Sequence, residues 1–110
     1  MPRLDPERYQ QLAEECLQRV ERWLEGFDPD EVDFTAGDGK VQLEFPDGAR
    51  FVLNRQGAAS QIWLAAVDRA WHYGWDAGSA RWVDDRDGHE FYANLAAVVG
   101  RKLGRTVLTP

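Results

Sequence analysis

Apolar residues in the first part of the chain recur at steps of three and four, which is the period of an amphipathic helix. Asp5 is suited to the N-cap and Pro6 to the first helical position, while Gly26 and Pro29 limit the far end. The pattern therefore predicts a helix over residues 6–27. Its apolar stripe consists of Tyr9, Leu12, Ala13, Cys16, Val20, Trp23, Leu24 and Phe27.

Beyond this helix the apolar period changes to two, which is typical of strands with one buried face. Alternation and turn residues predict six strands, at residues 32–36, 40–45, 50–54, 61–67, 71–76 and 81–84. The pair Asp38-Gly39 favours a tight hairpin turn. Such short connections require antiparallel pairing between successive strands.

A second helix is predicted at the end of the chain, where Asp87 and Glu90 have the spacing of a capping box with Asp87 at the cap. Its apolar face is formed by Phe91, Leu95, Val98, Val99 and Leu103. Two helices with one apolar stripe each can cover one face of a sheet. Residues 1–110 are therefore predicted to form a single α+β domain. It is a two-layer sandwich, with the N- and C-terminal helices packed on one face of an antiparallel sheet of about six strands.

The net charge of −6 is concentrated near the start of the chain. Residues 1–38 hold eleven acidic and four basic residues, a net −7, whereas residues 39–110 hold eight acidic and nine basic ones, a net +1. On a helix, Glu7, Glu14, Glu21 and Glu25 fall within about 20° of one line. The acids then continue as Asp28, Asp30, Glu31 and Asp33. Such a surface repels nucleic acid and anionic membranes and attracts cations and basic proteins.

Clustered carboxylates without His or Cys suit iron, manganese, calcium or magnesium better than zinc or copper. Because the acids lack the spacing of an EF-hand loop, weak and solvent-exposed binding is expected rather than a closed cage. The alternative is an acidic face that is simply solvated, and charge alone favours that alternative.

The sequence also argues against several other classes of protein. The single cysteine, Cys16, excludes an intramolecular disulfide, fits a reducing compartment and is expected to be a small buried apolar residue. No apolar run reaches the roughly 20 residues of a membrane span, and residues 1–10 lack the apolar block of a signal peptide. A cytoplasmic monomer is expected. No nucleophile–base order is recognisable, so an enzyme is not expected.

One strand presents a tryptophan outward. Alternation turns Ile62 and Leu64 to the core and Trp63 to the same side as Asn54. Tryptophan is a favoured residue at protein-contact sites; the alternative is that Trp63 fills a gap between strands. The surrounding pattern N-R-Q-x-x-x-x-Q-I-W-L-A, from Asn54 to Ala65, resembles the signature of the frataxin family, in particular its bacterial CyaY-type members. The resemblance spans nearly the whole chain, including the acidic first helix.

The resemblance implies two helices on one face of an antiparallel sheet, and a role in iron–sulfur cluster assembly as an iron-handling regulator or iron donor. It implies that ferrous and ferric iron bind weakly on an exposed acidic ridge, here Glu21, Glu25, Asp28, Asp30, Glu31 and Asp33, where other divalent cations are also possible. It further implies that the cysteine desulfurase and its scaffold complex are partners, contacted through Asn54, Gln56, Gln61 and Trp63. The chain departs from bacterial relatives at Thr35, where they can carry another acid.

Two other functions stay open at this point. The first is a purely protein-binding acidic module whose metal binding is incidental. The second is a small hydrolase or ferroxidase-type enzyme. His72 lies at an outward strand position and could add one nitrogen ligand, although an ordinary exposed histidine is favoured there.

Overall fold

The computed structural model describes residues 4–110. The first helix, α1, spans Pro6–Leu24, with Pro6 in its first turn, and the Asp5 carboxylate accepts a hydrogen bond from the Arg8 amide at 3.2 Å. The predicted start and N-cap are therefore confirmed. The helix ends before the predicted residue 27 because the Gly26 and Phe27 amides bond the carbonyls three residues back. Such bonds tighten the last turn and end the α-helical ladder.

Six strands form one antiparallel sheet, and each strand lies beside its neighbours in the sequence, so the predicted fold class is confirmed. The strands are β1 (Asp33–Gly37), β2 (Lys40–Glu44), β3 (Arg50–Gln56), β4 (Gln61–Ala66), β5 (Arg69–Asp76) and β6 (Arg81–Asp84). The prediction ended β3 too early, since Arg55 and Gln56 lack the apolar alternation. They stay in the ladder because their backbones pair with Ile62 and Gln61 of β4.

The tight turn between β1 and β2 is confirmed. Asp38 and Gly39 have φ angles of +53° and +73°, the left-handed pair that matches the twist of a two-residue hairpin. Gly39 also allows a close approach, since a Cβ atom there would lie 2.9 Å from the Arg55 guanidinium carbon.

The second helix, α2, spans Phe91–Leu103, and the predicted cap at Asp87 is wrong. Glu90 is the N-cap, and its carboxylate accepts hydrogen bonds from the amides of Tyr92 at 2.6 Å and Ala93 at 2.9 Å. A β-bridge between Val83 and Glu90 holds residue 90 in an extended conformation, so the helix begins only after it. Asp87 accepts from the His89 amide instead and closes a turn ahead of the helix.

The core lies between the two helices and one face of the sheet. Both helices bury their apolar stripes there, against inward residues of β2 to β6. Cys16 is 1% exposed, as predicted, and burial raises the pKa of its thiol to about 12. Trp23 and Phe27, at the end of the predicted stripe, are only half-buried. No helix in residues 4–110 is long and apolar enough to cross a membrane.

Candidate functional site

The acidic ridge, defined as Glu21, Glu25, Asp28, Asp30, Glu31 and Asp33, runs from the last turn of α1 through the following turn to the first residue of β1. Glu21 and Glu31 are half-buried, and the other four are exposed. The turn is ordered by Asp28, whose carboxylate accepts from the Asp30 amide at 2.9 Å. Its carbonyl also accepts from the Glu31 amide at 2.9 Å.

One ridge acid has a cationic partner. Within residues 4–110, Glu31 is the only member of the ridge in an ion pair, with its carboxylate 3.0 Å from the Arg105 guanidinium. Arg105 follows α2, in a C-terminal segment whose Leu108 carbonyl also accepts from the Trp23 indole at 2.8 Å. The other five ridge carboxylates have no ion-pair partner among residues 4–110, so their negative charge is available to a cation or a basic surface.

The ridge does not lie on one face of the molecule. Phe34 packs against the core, so the pleat of β1 turns Asp33 to the opposite side of the sheet, beside its register partner Glu44. Within residues 4–110, no three ridge carboxylates place ligand oxygens within 4.8 Å of one another. The arrangement is a dispersed, solvent-facing set of oxygen ligands without a closed cage.

The second surface, the sheet patch, consists of Asn54, Gln56, Gln61 and Trp63. The register aligns Asn54 with Trp63 and Gln56 with Gln61, so the four residues occupy two adjacent rows of one hairpin. All four are half-buried. The alternate residues of β4, Ile62 and Leu64, point the other way and are fully buried in the core. The predicted outward orientation of Trp63 is therefore confirmed.

Trp63 is held in place by a ring of side chains. Its indole stacks on the His72 ring, with centroids 4.3 Å apart and planes at 26°, and its Nε1 donates to the Gln61 amide oxygen at 2.9 Å. Gln61 Nε2 donates to Asp85 Oδ2 at 3.3 Å, and the same oxygen lies 3.7 Å from His72 Nδ1. Trp63 thus fills a cross-strand gap and also faces solvent. A side chain already ordered in this way loses little conformational entropy when a partner binds.

Sequence reasoning missed Asp85 as a member of this ring. It stands in a run of acids at the turn after β6, where turn formation is the ordinary explanation. Its proximity to Gln61 follows only from the pairing of β4, β5 and β6.

A frataxin-like domain model matches residues 2–105 of the chain. The chain belongs to the frataxin family. Among curated relatives, the iron–sulfur cluster assembly protein CyaY of Thioalkalivibrio sulfidiphilus is 38% identical over 96 residues, covering 86% of this chain and 90% of that protein. The CyaY protein of Dechloromonas aromatica is 33% identical over 106 residues, covering 96% and 98% of the two chains. The resemblance inferred from the sequence is confirmed.

Solved frataxin structures have the same fold. The frataxin of Psychromonas ingrahamii, described within the CyaY protein family, superposes with a TM-score of 0.82 at 31% identity, covering 94% of this chain and 96% of that one. A trimeric frataxin from the yeast Saccharomyces cerevisiae, solved in a ferrous complex, has a TM-score of 0.67 at 23% identity, covering 96% and 91%. The roles assigned to individual residues of the ridge and the sheet patch stay predictions.

Proposed function

We propose that this frataxin-family chain acts in iron–sulfur cluster assembly, as a non-catalytic regulator or iron donor in the cytoplasm. It binds ferrous and ferric iron weakly on the acidic ridge and docks on the cysteine desulfurase and its scaffold complex. The observation that carries the proposal is the set of five ridge carboxylates that have no ion-pair partner among residues 4–110, on a chain whose relatives are named iron–sulfur cluster assembly proteins.

The ridge supports reversible handling of iron. Carboxylate oxygens are ligands for hard cations, and dispersed, hydrated carboxylates release an ion more easily than a closed site. Other divalent cations can occupy the same oxygens. The yeast frataxin in a ferrous complex supports only the shared fold at 23% identity, so the proposal rests on this chain's own charges.

The two surfaces have different tasks in docking. The ridge attracts a basic surface over several ångströms, which raises the association rate and depends on salt. The sheet patch supplies short-range contact through the ordered Trp63 indole. Iron and the partner protein either compete for the ridge or share it.

Charge reversal on the ridge tests the docking. The double variant Glu25→Lys, Asp28→Lys is expected to bind the desulfurase complex at least about 10-fold more weakly at low salt, and the loss should shrink at high salt because exposed charges are screened. The matched control is Asp68→Lys, Asp76→Lys, which makes the same charge change away from the ridge, at an exposed acid of the β4–β5 turn and at the half-buried last residue of β5. Calorimetry at two salt concentrations measures the affinity of each variant for the desulfurase complex. Equal losses in both variants, or no loss in the ridge variant, would contradict ridge docking.

Iron binding is tested separately, because a second function has support of its own. The lack of three ridge carboxylates within 4.8 Å of one another favours a purely protein-binding module with incidental metal binding. Ferrous iron added anaerobically to ¹⁵N-labelled protein should broaden or shift the amide signals of residues 21–33 and spare residues 57–60, which lie near Tyr9 at the other end of α1. If those signals do not respond while the ridge variant still loses affinity for the desulfurase, the protein-binding module is the correct function.

A further inference from the structure

The turn between β6 and α2 holds a second cluster of metal-ligating side chains, distant in sequence from the ridge. One ligand atom each from Asp84, Asp87 and His89 lies within 4.8 Å of the other two. In residues 4–110 this is the only group of three histidine, cysteine or carboxylate side chains so close together. Asp87 is exposed, His89 is half-buried and Asp84 is buried, so the cluster opens to solvent on one side.

The buried member of the cluster, Asp84, has a carboxylate oxygen without a hydrogen bond among the described residues. Asp84 is only 4% exposed, and its Oδ1 has no hydrogen-bond partner in the part of the chain that the structure describes. The other oxygen, Oδ2, accepts from the backbone amides of Arg86 at 2.9 Å and Asp87 at 3.1 Å, which fixes the carboxylate in the turn. A buried carboxylate oxygen without a partner is unfavourable, because it has lost water and gained nothing in return. A bound cation is one partner that satisfies it.

The His89 ring is held in place by hydrogen bonds at both of its nitrogen atoms. His89 Nδ1 lies 2.5 Å from Asp87 Oδ1, and Nε2 lies 2.8 Å from the Tyr73 hydroxyl. That hydroxyl also accepts from Asn94 Nδ2 at 2.7 Å. Hydrogen bonding of the distal ring nitrogen is the usual way in which proteins orient a metal-binding histidine.

We propose that Asp84, Asp87 and His89 bind a divalent first-row transition-metal ion, such as Mn²⁺, Fe²⁺, Co²⁺ or Zn²⁺. The ion would take His89 Nδ1, whose proton is released to solvent, together with one oxygen of each carboxylate. Nε2–H would then donate to the Tyr73 oxygen. The imidazole favours transition ions over Ca²⁺ and Mg²⁺, in contrast to the all-oxygen ridge.

The site is placed to act on the sheet patch. Asp85 follows Asp84 directly, and its carboxylate contacts Gln61 and lies near His72, the ring on which Trp63 stacks. An ion held at the turn would fix the backbone that carries Asp85. Metal occupancy would therefore further restrain the Asp85 side of a predicted docking surface without touching the ridge.

Manganese alone is the probe, because its unpaired electrons broaden nearby amide signals. The background is a full-length, ¹⁵N-labelled ridge variant, Glu21→Gln, Glu25→Gln, Asp28→Asn, Asp30→Asn. In it, MnCl₂ should still broaden residues 84–90, and adding His89→Gln should abolish this. Zn²⁺ affinity measured by calorimetry on the same pair should fall at least about 10-fold. CaCl₂ at the same concentration should leave residues 84–90 unshifted.

Broadening of residues 84–90 that disappears in the ridge variant, or that survives His89→Gln, would overturn the site. If His89→Gln disturbs folding, judged by amide dispersion, Asp87→Asn is used in its place and should likewise abolish the broadening of residues 84–90. That residue is exposed, and its new amide oxygen still accepts from the His89 amide. The ridge proposal is tested by the wild-type response of residues 21–33, so the two proposals fail independently.

Discussion

Trp82→Ala is expected to lower the free energy of unfolding by about 3–5 kcal/mol, the usual cost of removing a large aromatic side chain from a core. The Trp82 side chain is 2% exposed and packs edge-on against Tyr9 at 6.2 Å and Trp75 at 5.4 Å between ring centroids. The cavity would open between α1 and the sheet, where the Tyr9 hydroxyl bonds the Gln61 carbonyl at 2.8 Å. Urea denaturation with linear extrapolation measures the change.

The matched control removes the same side chain from the other face of the sheet. Trp63→Ala leaves no buried cavity and forfeits chiefly the stacking on His72, so a loss of about 1 kcal/mol is expected. A similar loss for both tryptophans would contradict the division of the sheet into a buried face and an open one.

Trp63→Ala has its large effect on binding instead. If the sheet patch docks on the desulfurase–scaffold complex as proposed, removing its ordered indole should cost about 2 kcal/mol, or roughly 30-fold in affinity. The loss should hardly change with salt, because the contact is short-ranged and uncharged, in contrast to the ridge variant. Calorimetry or surface-based binding at the same two salt concentrations measures both.

Trp75→Ala is the control for that experiment. Trp75 is also half-buried, but it pairs with Trp82 on the helix-covered side of the sheet. A folded Trp75→Ala protein should bind the complex as the wild type does. Equal loss in both variants would show that the affinity reports on stability rather than on the patch.

Most of the fold was predictable because periodicity reports directly on burial. The change in apolar spacing from steps of three and four to steps of two separated α1 from the sheet. The pair Asp38-Gly39 was a specific signal for the first hairpin, because both residues adopt the positive φ angles that a tight two-residue turn requires. The prediction of an N-cap at Asp87 was wrong for a different reason. Its spacing fits a capping box, but the β-bridge from Val83 to Glu90 fixes the start of the helix, and long-range backbone pairing leaves no local signal.

The candidate site was predictable in composition but not in geometry. A helical wheel places the acids of α1 along one line, but Asp33 lies in β1, whose pleat turns it to the other face of the sheet because Phe34 packs against the core. The ion pair of Glu31 with Arg105 joins residues 74 positions apart, and no pattern in the sequence encodes it. The ring around Trp63 likewise depends on the register of three strands.

The order of the strands has a consequence for how quickly the chain reaches this structure. Each strand pairs with the next one along the chain, and β1–β2 and β4–β5 are joined by two-residue turns, so every ladder closes a short loop at a small cost in chain entropy. Proteins dominated by such local pairings fold faster than those with long crossovers. The distant closures are the docking of α1, where Tyr9 meets the carbonyl of a residue 52 positions away, and of the segment after α2, where Arg105 meets Glu31, 74 positions away. The sheet can therefore assemble hairpin by hairpin, and the search over long separations is left to the two helices at the ends of the chain.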